Sequence, residues 1–189
     1  YTKEHIVGKN LLEIGVGAGQ SILWFEEEGF NVKGIEPDGR NVSMINKKLR
    51  KGKVIESSVE EFSTDEVFDV IWMSHVLEHL LEPMNFLKKI KNNLKNNGIF
   101  FIEVPNCEYE PMLQSSIQKN PHLFHFTTKS LSKLVEKLDY KILSCDVFRS
   151  ATKSEGMRQK IMKNSFPYYP RIMTDVYSGR DLRIILKNS

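Results

Sequence analysis

The chain has 189 residues, of which 40% are hydrophobic and 27% are charged, and its formal net charge is +3. This composition excludes an intrinsically disordered chain, and the length suits one α/β domain over residues 1–189. So mild a positive charge excludes the dense basic surface of a typical nucleic-acid-binding protein, and we expect no nucleic-acid partner. Apolar runs stay well short of the roughly 20 residues that a membrane helix requires, so we expect no membrane partner.

The two cysteines, Cys107 and Cys145, are far apart and lack the Cys-x-x-Cys spacing of a zinc site. We therefore expect reduced thiols and a cytoplasmic location. No secretory signal is visible, but the chain starts at Tyr1 rather than at methionine, which leaves its natural N-terminus open.

Short apolar runs alternate with amphipathic segments over the first 150 residues, as in a doubly wound parallel sheet. The predicted strands are, in chain order, 10–14, 31–36, 53–56, 68–73, 99–104, 141–148 and 182–186. Amphipathic helices are predicted after the first strand, over 83–94 and over 130–138. Asn97-Gly98 predicts a helix stop and a tight turn into the fifth strand.

Residues 151–180 interrupt this alternation. They are polar, carry several methionines and tyrosines, and contain Pro167 and Pro170. We interpret them as a long insertion before the last strand of a single domain. Their aromatic and arginine side chains suit a lid over an anionic acceptor, and packing of an ordinary surface helix is the alternative.

A glycine-rich loop, Glu13-Ile14-Gly15-Val16-Gly17-Ala18-Gly19-Gln20, joins the first predicted strand to a helix. Glycines permit a tight turn and close approach of a ligand, and the helix N-terminus offers free N–H groups. The dinucleotide-binding pattern requires glycine or alanine where Gln20 stands. A carboxylate at Glu13 would repel a pyrophosphate, whereas it suits the amine and sulfonium of S-adenosylmethionine (SAM). We therefore predict a SAM loop rather than an ordinary βα turn, with contacts from Glu13, Gly15, Gly17 and Gly19.

Glu36 ends the second predicted strand, 23 positions after Glu13. There a carboxylate can accept hydrogen bonds from both hydroxyls of a ribose, while Asp38 can cap the next helix. Glu-x-Gly-x-Gly-x-Gly followed by this second-strand acid resembles the class I SAM-dependent methyltransferases. The resemblance covers residues 10 to about 148. It implies an α/β, Rossmann-like, seven-stranded sheet that is mostly parallel and whose last strand is antiparallel.

Three further segments extend this resemblance. Residues 57–62 resemble the loop that contacts adenine, residues 68–71 the fourth strand, and residues 94–98 the Leu-Lys-x-Gly-Gly turn, with Asn97 in place of its first glycine. The resemblance implies that SAM lies across the carboxyl ends of the first, second and fourth strands. It assigns further cofactor contacts to Pro37, Ser58, Val59, Ser74 and His75.

Four of the five histidines follow the fourth and fifth predicted strands. If the first segment begins a helical turn, His75, Glu78 and His79 share one face. His122 and His125 lie in a later segment that we expect to open onto the same crevice. The least specific interpretation is that some of these histidines only satisfy backbone groups or cap a helix.

Two chemical interpretations compete with that one. A histidine that titrates near neutral pH can take the proton of a hydroxyl acceptor, which makes His79, His122 and His125 catalytic candidates. Alternatively, His75, Glu78, His79 and His122 have the ligand chemistry of a divalent metal site.

The histidine segments resemble bacterial methyltransferases associated with polysaccharide pathways and the ubiquinone-pathway O-methyltransferases. They also resemble the small-RNA 3′-end 2′-O-methyltransferases, in which a Glu-x-x-Glu-His motif binds a divalent ion. Here His75 replaces the first of those glutamates, and imidazole favours zinc, iron or manganese over magnesium.

The function expected from this resemblance is methyl transfer from SAM to an oxygen of a small-molecule or glycan-type acceptor. An RNA 2′-O-methyltransferase with a divalent metal and a non-catalytic SAM-binding module are the alternatives. Neither the acceptor nor the oligomeric state follows from the sequence.

Overall fold

The computed structural model describes residues 5–118, 122–149, 171–173 and 175–188. Its strands are β1 (Asn10–Ile14), β2 (Asn31–Glu36), β3 (Lys53–Glu56), β4 (Phe68–Ser74), β5 (Leu94–Pro105), β6 (Tyr140–Arg149), β7 (Arg171–Met173) and β8 (Asp181–Asn188). Its helices are α1 (Gln20–Glu27), α2 (Gly39–Asn46), α3 (Pro83–Ile90), α4 (Glu110–Gln118) and α5 (Thr128–Glu136). Short 3₁₀ turns span Leu77–His79 and Lys91–Asn93. Among the helices of these described ranges, none has the length and apolar content that a membrane crossing requires.

The described strands form one sheet in the order β3-β2-β1-β4-β5-β8-β6-β7. Strands β1 to β5 pair in parallel, and β8 lies between β5 and β6 and is antiparallel to both. Without the edge strand β7, the sheet is the predicted one: seven strands, mostly parallel, with the last strand antiparallel.

Strand β7 is an addition to that prediction. It pairs antiparallel with β6 at the edge of the sheet and falls inside the predicted insertion of 151–180. Three residues carry no readable alternation, so the sequence pattern missed this strand. Residues 150–170, and with them most of the predicted lid, lie outside the described residues.

The apolar core lies on both faces of the sheet. Successive side chains of a strand point to opposite faces, so Leu11 packs with α1 and α2, whereas Leu12 packs with α3 and α5. Val70 and Ile71 of β4 divide in the same way. Because both faces are covered by helices, the central strands consist of nearly continuous apolar runs.

The third helix and the fifth strand differ from their predicted bounds. Helix α3 ends at Ile90, and Leu94 already pairs with Phe68 of β4, so Asn97-Gly98 lies within β5 and is not the helix stop. It falls in an irregular stretch between Leu94 and Ile99, where the register of β5 with β4 shifts. The buried side chain of Asn93 donates to the carbonyls of Thr64 (2.7 Å) and Glu66 (2.9 Å). These contacts attach the end of the helical segment to a loop that is distant in sequence.

One edge of the sheet collects the chemistry-bearing residues. The carboxyl ends of β1, β2, β4 and β5 meet there because these strands are parallel. Strand β8 runs the other way, so its first residue, Asp181, pairs with Pro105 at the same edge.

Candidate active site

The glycine loop after β1 is tied to β2 by its backbone. The N–H groups of Gly15 and Val16 donate to the carbonyl of Ile35, at 2.9 and 3.2 Å. Gly17 has φ +55, and a Cβ atom there would meet nothing within 4 Å, so the backbone borders open space. Gly19 has φ +84, and a Cβ there would come within 2.7 Å of Ile45, so this glycine serves the packing beneath α2.

A cavity of about 490 Å³ lies beside this loop. It is within the size range of small-molecule sites, roughly 300–1,000 Å³. Eight of the ten predicted cofactor-binding residues line it: Gly15, Gly17, Glu36, Pro37, Ser58, Val59, Ser74 and His75. The lining also includes Ile35, Ser57, Glu60, Val76, His79 and Leu80, which the sequence reasoning did not assign to the cofactor.

Glu36 forms a fixed wall of this cavity. Its side chain is buried, and its two oxygens accept backbone N–H bonds from Gly17 (2.8 Å) and Asp38 (3.1 Å). Asp38 caps α2 by accepting from the backbone N–H of Arg40, as predicted. The carboxylate of Glu36 is therefore held at the end of β2 beside the open face of Gly17.

Glu13 and Gly19 do not line the cavity, and their contacts with a cofactor stay a prediction. Only 2% of Glu13 is exposed, and the hydroxyl of Ser21 donates to its Oε1. Its Oε2 has no hydrogen-bond partner among the described residues. Burial raises the pKa of Glu13 to about 8, and the bond from Ser21 opposes this only in part. At neutral pH the buried group is therefore mainly a neutral acid.

His75 takes a left-handed backbone conformation, with φ +55, directly after β4. It precedes the 3₁₀ turn of Leu77–His79, so the predicted shared helical face does not form. Its ring nevertheless lies 3.4 Å from Glu78 (Nδ1 to Oε1) and 3.5 Å from Glu103 (Nε2 to Oε1). The carboxylate of Glu78 raises the pKa of His75, and the charges of Glu103 and Asp181 add to this, although burial opposes it.

Glu78, His79 and His122 form a compact group, which we call the His–Glu centre. One ligand atom from each of the three lies within 4.8 Å of the others, and neither His75 nor His125 belongs to the set. The rings of His79 and His122 meet edge to face, with centroids 4.7 Å apart. The structure thus brings together side chains from the two histidine segments.

Glu78 is the buried member of the His–Glu centre. It is 1% exposed, and Oε2 has no hydrogen-bond partner among the described residues. Near Oε1 lie Nδ1 of His75, at 3.4 Å, and Nε2 of His79, at 3.9 Å. The backbone carbonyl of Glu78 accepts the N–H groups of Leu123 (2.9 Å) and Phe124 (3.1 Å). These two bonds attach the segment that carries His122 to the turn that carries Glu78.

His122 differs from the exposed His125. Nδ1 of His122 lies 2.7 Å from the hydroxyl oxygen of Ser116. Burial lowers the pKa of His122, against the opposing charge of Glu78. The lowered pKa favours the neutral form of this imidazole.

A family model for the methyltransferase domain matches residues 2–145 of this chain. The chain belongs to the methyltransferase domain family. Ubiquinone biosynthesis O-methyltransferase of Rickettsia akari (strain Hartford) is 26% identical over 106 residues, which is 54% of this chain and 42% of that relative. The methyltransferase thus spans less than half the length of this curated relative.

Solved methyltransferase structures have the same fold. A SAM-dependent methyltransferase from Archaeoglobus fulgidus superposes with a TM-score of 0.75 at 20% identity, covering 100% of this chain and 90% of that one. The plantazolicin methyltransferase BpumL in complex with SAH superposes with a TM-score of 0.68 at 16% identity, covering 96% and 76%. At these identities the likeness establishes the fold of this methyltransferase.

Several polar residues at the site of the methyltransferase were missed by the sequence reasoning. Glu103 of β5 accepts from the hydroxyl of Ser74 (2.7 Å) and from Nε of Arg183 on β8. Asp181 lies 4.0 Å from His75 (Oδ1 to Nε2), and burial and the charge of Glu103 raise its pKa. A carboxylate that interrupts the apolar run of β5 was the one signal in the sequence for Glu103.

A second, larger cavity of about 750 Å³ lies at the opposite edge of the sheet, at the amino ends of β4 and β5. Asp69, which lines it, is paired with Lys95 at 2.8 Å and accepts from the N–H of Asn10 at 3.0 Å. Neither the glycine loop nor the His–Glu centre lines this larger cavity, so its size does not make it the active site.

Proposed function

We propose that the methyltransferase binds SAM beside Gly17 and Glu36 and transfers its methyl group to an oxygen of a small-molecule or glycan-type acceptor. The observation that supports this proposal most directly is that His79 belongs to two features of the site. It lines the cavity beside the glycine loop, and it belongs to the His–Glu centre. A cofactor in that cavity and an acceptor at the centre would therefore be neighbours.

The residues of the cavity fit SAM. Gly17 leaves its backbone open to a ligand, and the carboxylate of Glu36 offers acceptor oxygens for ribose hydroxyls at the end of β2. SAM, when bound, supplies an electrophilic methyl group on a sulfonium sulfur. In α/β sheets generally, ligands bind at the carboxyl ends of the strands, at the point where the strand order reverses. The cavity beside the glycine loop lies at these strand ends.

The His–Glu centre supplies the proton acceptor for this reaction. With SAM bound as the methyl donor, an imidazole nitrogen of this centre would take the proton of the acceptor hydroxyl. His122 suits this role because its lowered pKa favours the neutral form. His75 does not, since its surrounding carboxylates favour its protonated form.

Oxygen as the methylated atom has a second support. Relatives that match this chain are named O-methyltransferases of ubiquinone biosynthesis. Because the chain spans less than half of such a relative, the acceptor is proposed at the level of its chemical class. The mild net charge of +3 speaks against RNA as the acceptor.

A divalent metal ion is the second candidate for the chemistry of the His–Glu centre. The donor set fits, because two imidazoles and one carboxylate converge and, among the described residues, Oε2 of the buried Glu78 has no hydrogen-bond partner. Glu78, His79 and His122 would hold the ion, which would supply a Lewis acid for the acceptor oxygen.

Metal removal separates these two candidates. If a metal is required, dialysis against a chelator abolishes turnover, added Zn²⁺, Mn²⁺ or Fe²⁺ restores it, and Glu78→Gln lacks ion binding by calorimetry. If an imidazole acts as the base without metal, chelation leaves turnover intact. Elemental analysis of the purified protein provides an independent readout.

We expect Glu36→Ala to weaken the binding of SAM and SAH by about 1–3 kcal/mol, the scale for losing charge-assisted hydrogen bonds. Isothermal titration calorimetry measures this directly, and thermal unfolding checks that the fold is retained. Glu56→Ala is the matched control, because Glu56 is the register partner of Glu36 on β3 and lies outside the cavity lining. Equal affinities of Glu36→Ala and wild type would remove Glu36 from the site.

A further inference from the structure

Three polar side chains lie side by side across the strands β4, β5 and β8. Ser74 is the register partner of Glu103, and Glu103 is the register partner of Arg183. The hydroxyl of Ser74 donates to Oε1 of Glu103 at 2.7 Å, and Nε of Arg183 donates to Oε2. The three side chains therefore form a continuous row of hydrogen bonds, which we call the Ser–Glu–Arg row.

The charged pair of this row is largely removed from solvent. The side chain of Glu103 is 12% exposed and that of Arg183 is 20% exposed. The guanidinium group also lies over the ring of Phe148 on β6, 4.4 Å from its centroid. Removing two charges from water costs free energy that a well-packed apolar pair would not cost. Stability alone is therefore a weak explanation for this pair.

Ser74 connects the row to the cofactor cavity. It lines that cavity, whereas Glu103 and Arg183 do not. A hydroxyl group has one proton to donate, and a carboxylate paired with a guanidinium can only accept. Oε1 of Glu103 also lies 3.5 Å from Nε2 of His75, and one carboxylate oxygen can accept two hydrogen bonds. Because the proton of Ser74 points to Glu103, the hydroxyl oxygen offers only lone pairs to a ligand in the cavity.

We propose that Glu103 and Arg183 are positioning residues that hold the hydroxyl of Ser74 as a hydrogen-bond acceptor for the ammonium group of the cofactor. Strand β1 lies between β2 and β4, so the strand ends that carry Glu36 and Ser74 are two strand spacings, roughly 10 Å, apart. If Glu36 holds the ribose, the portion of SAM beyond the sulfur extends towards Ser74. On that side of the ribose, the hydrogen-bond donor of SAM is its ammonium group.

The charges near Ser74 favour a cationic group. Three carboxylates lie within 4.0 Å of the ring of His75, which lines the cavity next to Ser74: Glu78, Glu103 and Asp181. Three carboxylates against one guanidinium and one imidazole leave a surplus of negative charge, which attracts an ammonium group and repels a carboxylate. This inference rests on the proposed function, because it takes the position of the ribose at Glu36 from it.

Calorimetry with SAH, and with an SAH analogue that lacks the α-amino group, tests which ligand group Ser74 contacts. We expect Ser74→Ala to lower the affinity for SAH by roughly 10–100-fold, the scale for losing a hydrogen bond to a charged group. Its affinity for the analogue should equal that of the wild type. An equal loss for both ligands, or no loss for SAH, overturns the proposal.

Ser58→Ala is the matched control for this comparison. Ser58 lines the same cavity after β3, on the far side of Glu36 from Ser74. Any effect of this substitution should therefore be the same for SAH and for the analogue that lacks the α-amino group.

Substitutions within the row test the two positioning residues. Glu103→Gln introduces an amide that can donate to Ser74, so it should lower the affinity for SAH as Ser74→Ala does. The double variant Ser74→Ala/Glu103→Gln should bind SAH no more weakly than Ser74→Ala, because Glu103 acts through Ser74. Arg183→Lys keeps the charge and should retain most of the affinity that Arg183→Leu loses. Additive losses in the double variant, with the fold retained in thermal unfolding, overturn the positioning role.

The outcomes separate this inference from the proposed function. If the wild type binds SAH with the expected dependence on Ser74 but transfers no methyl group to any hydroxyl acceptor, the proposed function fails and the Ser–Glu–Arg row stands. If Ser74→Ala keeps the SAH affinity of the wild type while methyl transfer to a hydroxyl acceptor is observed, the row fails and the proposed function stands.

Discussion

His122→Ala is expected to lower methyl-transfer turnover by about 10²–10⁴-fold, the usual contribution of a positioned general base. Its affinity for SAM should stay near that of the wild type, because His122 does not line the cofactor cavity. His79→Ala should lower turnover to a similar extent and should also lower the affinity for SAM, since His79 lines that cavity. Calorimetry with SAH and steady-state kinetics separate these two effects.

The edge-to-face contact between the rings of His79 and His122 gives a further expectation. When two residues act as one unit, the effects of their substitutions on turnover are not additive. The double variant His79→Ala/His122→Ala should therefore have a turnover only slightly below that of the less active single variant. His5→Ala, which alters the histidine outside both segments, is the matched control. Turnover in His122→Ala equal to that of the wild type would remove this imidazole from the reaction.

The stability of the methyltransferase is expected to fall as pH rises from 5 to 8, because of Glu13. Its pKa is about 8 in the fold against an ordinary value of 4.5, so the unfolded chain releases this proton first. The contribution is fully present below pH 4.5 and is lost as pH rises through 8. At about 1.4 kcal/mol per pKa unit, the loss in the free energy of unfolding reaches up to about 5 kcal/mol.

Glu13→Gln should remove the part of this pH dependence that Glu13 causes, because an amide keeps the acceptor for Ser21 without an ionisable group. Urea unfolding at pH 5 and pH 8 measures the difference for each protein. Glu27→Gln, at an exposed position of α1, is the control and should retain the slope of the wild type. Asp181 contributes to the wild-type slope in the same direction, so the comparison between variants isolates Glu13. Identical slopes for wild type and Glu13→Gln would mean that Glu13 is ionised in the fold.

Much of the fold follows from local patterns in the sequence. The bounds of β1, β2 and β3 match their predictions. In β1 and β2, turn residues flank short apolar runs that are buried on both faces, whereas β3 is an edge strand in which only Val54 is buried. The start of β5 does not match its prediction, since Leu94 already pairs with β4 and Asn93 beside it contacts a distant loop. Such a tertiary contact leaves no trace in the local periodicity.

The same division holds for the site. The glycine loop and Glu36 could be predicted because their spacing along the chain is set by one strand–helix–strand unit. The meeting of His79 with His122 could be predicted because parallel strands end at one edge. Asp181 arrives at that edge from β8, which runs against its neighbours, and Ser116 comes from an unpredicted helix. Neither has a fixed distance in sequence from the other site residues.

The bonds from the amides of Leu123 and Phe124 to the carbonyl of Glu78 hold the backbone of the His–Glu centre through main-chain atoms alone. They join main-chain atoms, so they involve none of the side chains at positions 78, 79 and 122. A protein built in this way can exchange its reactive groups, through evolution or through engineering, without rebuilding the loop that presents them. These three positions are therefore the natural place to install a different nucleophile, base or metal-ligand set on an unchanged scaffold.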